Sequence, residues 1–452
     1  MKKGEMAAGL VESVTFPNHG VMTVAGVPVH VKGVIPGQHI RARITKRRST
    51  SCKAAFPEVT ERSPLETEPV QCAVFGACGG CFYQRVPYAE QLNIKAAMVE
   101  KLLRPYLNPG IFEGITGSPV ETGYRNKMEY SFGDAVKGGP MTLGLHKKQS
   151  KYDVLDLDDC ILTDDDFDRV RCFTRDYFTA AGLSFYHKIT HTGYLRYLVV
   201  RKGIRTGRLL IMLVTSSQAK PDLQPWVDGL LALDLAAEID GVIHTVTDSF
   251  ADAVKDEGSR VLYGRDYYEE RLFDLTFRVT GFSFFQTNTL GAEVLYGKVI
   301  EYLGDCENKR VFDLYSGTGT IAQIVAASAA EVTGVEIVEE AVEAAKRNAA
   351  ENGLTNCTFL AGDVLQVVDG LTEKPDLIIL DPPREGIHPK ALPKIIDFGV
   401  DRIVYVSCKP TSLAKDLAAF TEAGYEVTRA CCVDMFPYTV HVETVCLMTR
   451  TK

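Results

Sequence analysis

A chain of 452 residues, 46% hydrophobic and 24% charged, has room for about three packed domains and lacks the bias of a fibrous or disordered protein. A formal net charge of −8 excludes a uniformly basic nucleic-acid binder, and no apolar run approaches the ~20 residues of a membrane helix. The opening MKKGEMAAGL has no apolar core of signal-peptide length, so a cytoplasmic location is expected, where twelve cysteines serve as ligands, nucleophiles or buried apolar residues rather than disulfides.

Charge is uneven along the chain. Residues 1–60 hold nine Lys/Arg against three Glu. Val27, Val29 and Val31 alternate with Pro28, His30 and Lys32, the period of a half-buried strand, and Gly20, Gly26, Gly33 and Pro36-Gly37 mark turns. Arg41, Arg43, Lys46, Arg47, Arg48 and Lys53 then place six cations in thirteen residues without an acid. A solvated face would explain them, and so would a phosphate-contacting surface on a small β-barrel. The Val-Pro-Val-His-Val-Lys-Gly-Val-Ile-Pro-Gly segment at 27–37 resembles the TRAM domain, which implies an RNA-binding barrel over 1–61.

Cysteines cluster next. Cys72-x5-Cys78-x2-Cys81 includes Ala77-Cys78-Gly79-Gly80-Cys81, whose glycines permit a tight backbone around a metal. A fourth ligand is needed, and Cys160 is the best remaining partner. Zinc is one reading, although a zinc ribbon normally brings a second Cys-x2-Cys pair. Tyr88 to Leu103 reads as a helix, and Tyr197–Arg201 and Leu209–Thr215 as strands. Cys52, Cys172, Cys306, Cys357, Cys431, Cys432 and Cys446 have no partner pattern and read as buried apolar residues.

From Lys309 the chain alternates regularly. Apolar runs at 311–314, 332–335, 357–360, 377–380 and 402–406, separated by helical segments such as 338–352, predict a doubly wound α/β sheet. The first run enters Asp313-Leu314-Tyr315-Ser316-Gly317-Thr318-Gly319-Thr320, a Gly-rich turn that admits a ligand to the strand's carboxyl end. The same glycines satisfy a dinucleotide pattern. An acid at Asp313 suits a cationic amine and opposes a pyrophosphate, so S-adenosylmethionine is favoured over a nicotinamide or flavin dinucleotide. Glu336 ends the next run, where it could accept from ribose hydroxyls. Asp363 follows the third run as a candidate adenine acceptor or a plain turn residue.

Asp381-Pro382-Pro383-Arg384 follows the fourth run, and two prolines stiffen that loop. Amino-group methyltransferases normally carry an aromatic residue at the fourth position, so Arg384 points to another target chemistry. Cys408 ends the fifth run in Ser407-Cys408-Lys409-Pro410, and the helix start and Lys409 are expected to favour its thiolate. Thiolate addition to carbon 6 of a uracil would make carbon 5 electron-rich enough to take a methyl group, after which a base must remove the carbon-5 proton. Glu443 and His441 both qualify as that base on residue chemistry.

Phe284-Phe285-Gln286-Thr287-Asn288, the Gly-rich turn, DPPR, SCKP and HVETV, in that order over residues 280–445, resemble the RNA 5-methyluridine methyltransferase family. The resemblance implies Cys408 as nucleophile and Glu443 as base, with Gln286, Tyr315, Glu336 and Asp381 around the S-adenosylmethionine and uracil pocket, to which the reading of the turn residues adds Asp313, Gly317 and Asp363 as cofactor candidates. It further implies a [4Fe-4S] cluster on Cys72, Cys78, Cys81 and Cys160. Tyr124-Arg125-Asn126-Lys127 is similar to a family segment near the RNA, and Thr320 departs from the Asn of some relatives. The expected architecture is a barrel at 1–61, a central α+β region with the cluster at 62–280, and a Rossmann-like methyltransferase domain at 281–452. The expected protein is a monomer without membrane contact that methylates uridine carbon 5 in RNA. Barrel and cluster together suggest large-subunit (23S) ribosomal RNA. Transfer RNA, cytosine carbon 5 and a non-catalytic ribosome-assembly role are the alternatives.

Overall fold

The computed structural model describes residues 1–451 except Asp158, Asp252, Ala253, Lys255 and 371–373. Alternating valines and glycine-marked turns build a first sheet of six strands. In spatial order these are Met6–Leu10, His39–Arg47, Cys52–Glu61, Val27–Lys32, His19–Val24 and Ser13–Thr15. Val29, Val31, Ile40, Ala42 and Ile44 enclose its small core, while Arg41 and Arg43 stand exposed on the other face of their strand.

The second sheet has seven strands and belongs to the middle of the chain. Leu195–Gly203 lies at its centre between Lys127–Asp134 and Arg208–Thr215. Burial on both faces explains its near-continuous apolar runs. One face packs on the helices Asp165–Ala180 and Gln224–Leu231, and the other on the hairpin Tyr267–Leu272/Leu275–Thr280. Among the described residues, no helix is long and apolar enough to cross a membrane.

The third sheet has eight strands, and the regular β/α alternation emerges as expected. Its spatial order is Cys357–Ala361, Glu331–Glu336, Arg310–Leu314, Leu377–Leu380, Arg402–Ser407, Glu443–Arg450, Tyr425–Val433 and Phe112–Thr116. The first five are parallel, and Glu443–Arg450 runs antiparallel between its two neighbours. Strand order reverses between Arg310–Leu314 and Leu377–Leu380, opening a crevice at their carboxyl ends. The helix expected over 338–352 spans Glu339–Glu351.

The middle of the chain also reaches into this third layer. Strand Phe112–Thr116 extends the sheet, and helix Tyr88–Leu103 buries Val99 and Leu103 against its core. The same helix carries Lys95, which is fully buried and bonded to Asp434 at 2.7 Å, with a second bond to the Phe436 carbonyl at 3.1 Å. Burial lowers the Lys95 pKa, and the Asp434 carboxylate counters that shift. Removing one partner leaves a buried charge alone, so Lys95→Met should cost about 3–5 kcal/mol in chemical denaturation. Adding Asp434→Asn, which keeps an acceptor for the Phe436 amide, should recover part of that loss.

Candidate active site

Five parallel strands end at one edge, and the predicted site residues gather there. Strand Arg310–Leu314 delivers Asp313, then turns through Tyr315, Gly317 and Gly319 at φ of 68°, 54° and 71° before helix Thr320–Ala326. A side chain at 319 would meet the Phe359 ring at 2.5 Å, whereas one at 317 would enter open space. Gly319 therefore serves packing, and Gly317 leaves room for a ligand. The Gly317 amide donates to Glu336 Oε2 at 3.0 Å, so the acid ending the neighbouring strand is held at the turn.

Asp313 is more enclosed than its expected role suggests. It is fully buried, its Oδ2 accepts the Ala322 amide at 3.0 Å, and its Oδ1 has no partner. Burial first, then Asp381, raises its pKa well above the carboxylate range. Asp363 accepts the Leu365 amide at 2.9 Å at the start of helix Val364–Gly370. It also lies near Tyr315, whose pKa is pushed up to about 12 by burial and by Asp363 and Asp416. Thr320 is buried beside Thr318.

The reacting groups come from the next strands. Ser407 pairs with Thr444 in the antiparallel register, and the next residue on each strand, Cys408 and Glu443, lies near enough to the other for the carboxylate to raise the thiol pKa. The loop 381–387 is pinned to helix Pro410–Glu422, because Ser412 donates to the Arg384 carbonyl at 2.7 Å and Asp416 accepts the Ile387 amide at 2.9 Å. Cys408 is partly exposed, within reach of a ligand. Asp381 is desolvated at the base of the crevice, and its pKa is pushed up to about 7. Glu443 is buried and raised well above its ordinary value by burial and Asp381, while Arg384 opposes the shift.

The thiol departs from expectation. Burial, Glu443 and Asp381 push Cys408 up to about 11, and Arg384, which also bonds to it, is the group that pulls down. Facing two carboxylates outweighs the helix start. The Arg384 contact and the buried Tyr296, which touches Gln286 within range of all three carboxylates, escaped the sequence reading. Tyr296 reads as an ordinary core position of helix Thr289–Leu303. His441, two residues before Glu443, is lowered to about 4 by desolvation and by Arg384, Lys95 and Arg125. In the segment 124–127, Tyr124 and Asn126 face inward. Tyr124 donates to the Pro437 carbonyl at 3.0 Å and Asn126 to the Gln286 carbonyl at 2.9 Å.

Cys72, Cys78, Cys81 and Cys160 line a single small apolar pocket, each partly exposed, and the Gly80 amide donates to the Cys78 sulfur at 3.3 Å. As arranged, no group of three or more His, Cys, Asp or Glu among the described residues is set to hold a metal ion. Of the seven remaining cysteines, Cys172 and Cys357 are partly exposed rather than buried.

Residues 253–451 match the family model described as tRNA (Uracil-5-)-methyltransferase. An uncharacterized RNA methyltransferase of Clostridium acetobutylicum is 46% identical over 451 residues, covering 100% of this chain and 99% of its own. Another, from Caldanaerobacter subterraneus subsp. tengcongensis, is 46% identical with both chains fully covered. The Pyrococcus abyssi tRNA (uracil-54, C5)-methyltransferase, solved with S-adenosyl-L-homocysteine, superposes with a TM-score of 0.77 at 25% identity, over 98% of this chain and 100% of that one. The sheet at the centre of this crevice has the α/β fold of S-adenosylmethionine-dependent methyltransferases. The chain is an RNA methyltransferase of the tRNA (uracil-5-)-methyltransferase family.

Proposed function

We propose that this enzyme transfers a methyl group from S-adenosylmethionine to carbon 5 of a uridine in RNA, through a covalent bond between Cys408 and carbon 6. The adjacency of a partly exposed thiol and a buried carboxylate, Cys408 and Glu443, is the observation that carries the reading. Arg384 bonds to the thiol and favours its anion. The thiolate would add to carbon 6, and the electrons released toward carbon 5 would form the new carbon–methyl bond as the sulfur–methyl bond of S-adenosylmethionine breaks, its electron pair staying on the departing S-adenosylhomocysteine. Glu443 then takes the carbon-5 proton, the carbon–sulfur bond breaks, and the thiolate leaves. A carboxyl held above its ordinary range is a better proton acceptor than a free one. The low value of His441 leaves it neutral and a weak base.

The methyl donor would lie across the Gly-rich turn, with Glu336 on the ribose, Asp363 near the adenine and Tyr315 and Gly317 along its length. Exposed Ile337 and Val338, just after Glu336, offer the adenine an apolar surface. The orphan Oδ1 of Asp313, Gln286 and Asp381 line the methionine end. A sulfonium there would offset carboxylates that otherwise repel one another.

Two further parts of the reading concern the rest of the chain. The six-stranded sheet would be a TRAM-type RNA-binding module. Arg41 and Arg43 stand exposed, and exposed Phe56 sits on a bulge of the paired strand, where a base could stack. Cys72, Cys78, Cys81 and Cys160 would hold a [4Fe-4S] cluster in a structural role. A barrel and a cluster together would point to large-subunit (23S) ribosomal RNA, the proposed substrate of a monomeric cytoplasmic enzyme. Transfer RNA would be the outcome if that RNA is not modified.

RNA carrying 5-fluorouridine tests the chemistry, since fluorine cannot leave as a proton does. The parent protein should form an adduct mapped by mass spectrometry to Cys408, and Cys408→Ala should form none. Glu443→Gln should accumulate adduct on ordinary uridine RNA. Finding 5-methylcytidine in place of 5-methyluridine would overturn the target. The thiol predicts a pH profile for the free enzyme. With its pKa near about 11, iodoacetamide labelling of Cys408 should rise roughly tenfold per unit between about pH 7 and 9. Arg384→Ala raises the thiol further and should slow labelling at each pH. For the barrel, Arg41→Ala with Arg43→Ala should weaken RNA binding and reduce its salt dependence by about two phosphate contacts, leaving saturated turnover intact.

A further inference from the structure

Glu443 reaches the thiol on the connection 434–442, which joins strands Tyr425–Val433 and Glu443–Arg450. The middle of that connection is held by the cysteine-bearing segment. The amides of Phe82 and Tyr83, the two residues after Cys81, both donate to the Tyr438 carbonyl, at 2.7 and 3.0 Å. The Tyr438 amide donates to Oε1 of the fully buried Gln91 at 2.9 Å, and Gln91 Nε2 donates to the Val86 carbonyl at 2.8 Å. Tyr124 holds the preceding carbonyl, that of Pro437.

Tyr438 itself has φ of 64°, a conformation that a side chain keeps only where its surroundings over-determine it. Its ring is buried with Tyr124 and Leu162, against Cys81 and Cys160. Toward the site, the His441 amide donates to Thr439 Oγ1 at 3.2 Å, the His441 and Phe436 rings lie 6.1 Å apart, and Val442 is sealed. Glu443 is the next residue. The cysteine loop and the carboxylate are therefore two ends of one hydrogen-bonded unit.

We propose that Tyr438 is a positioning residue for proton abstraction, the point through which order in the cysteine pocket reaches Glu443. The inference rests on Glu443 being the base. Cys408 rides on a different strand and helix. Loosening Tyr438 therefore divides the reaction: sulfur addition and methyl transfer continue, whereas loss of the carbon-5 proton and expulsion of the thiolate slow.

The test uses the full chain with large-subunit ribosomal RNA transcripts containing uridine or 5-fluorouridine. Tyr438→Val places a β-branched residue at a positive φ, while Tyr438→Asn introduces one that tolerates it. The Val variant should trap 5-fluorouridine RNA within about threefold of the parent rate, yet on uridine RNA hold its adduct and release product about tenfold more slowly. The Asn variant should release within about threefold of the parent. Amide hydrogen exchange over 436–442 should quicken in the Val variant, and in the parent once a chelator has stripped its iron. Should the Val variant not fold, Gln91→Leu removes the acceptor of the Tyr438 amide, together with the donor to the Val86 carbonyl, without touching the connection itself, and should give the same division. Equal slowing of both steps, or unchanged release, overturns the role of Tyr438. A parent that traps neither ribosomal nor transfer RNA carrying 5-fluorouridine refutes instead the covalent chemistry on which it rests.

Discussion

Ser407 pairs with Thr444, and this register governs what the crevice can do. Side chains alternate along a strand, so a slip of one residue would turn Glu443 away from Cys408 and expose apolar neighbours. The register is held by burial on both faces. Ile403, Val404, Tyr405, Val406, Val445, Cys446 and Met448 are all buried, and none can reach solvent without loss of core. Pairing of thiol and carboxylate thus follows from hydrophobic packing some distance away. A loop-borne acid would carry no such constraint.

Charge around that pair is organised by desolvation. Asp313, Asp381 and Glu443 share one enclosed region with Tyr296 among them, and each has a raised pKa. A carboxyl whose folded pKa lies above its unfolded value contributes stability at low pH and loses it as pH rises through the folded value, here about 7 for Asp381. Any cation bound among these carboxyls favours their charged forms and, by binding the folded chain alone, adds to its stability.

The C-terminal sheet was legible because parallel strands buried on both faces give unbroken apolar runs, and the runs at 311–314 and 402–406 mark strands Arg310–Leu314 and Arg402–Ser407. The positions of Asp313, Glu336, Asp381 and Cys408 were legible for the same reason, since each sits at or just past a strand's carboxyl end, whereas Glu443 opens the antiparallel strand Glu443–Arg450. Electrostatic state was not. Nothing in Ser-Cys-Lys-Pro reveals that Cys408 faces Glu443 and Asp381, which are neighbours only through strand order. Likewise Asp313 reads as a ligand from its place before the glycines, yet one of its oxygens serves the Ala322 amide. Tyr438 was invisible too, because a positive φ at a tyrosine leaves no mark in composition.

Long-range contacts explain why the catalytic layer is not complete in the C-terminal segment. Strand Phe112–Thr116 pairs with Tyr425–Val433, and Lys95 neutralises Asp434 at the root of the connection that leads to Glu443. Asn288, which caps helix Thr289–Leu303 through the Gly291 amide, also donates to Ser118 and to the Met435 carbonyl. Residues 88–126 therefore brace this connection and, through Asn126, the carbonyl of Gln286. A fragment beginning near residue 253, where the family model starts to match, would keep every motif residue of the crevice yet leave Asp434 buried without its cation and Tyr438 without its clamp. The crevice residues are written in the C-terminal part of the chain, but the contacts that brace the connection to Glu443 are supplied by the middle.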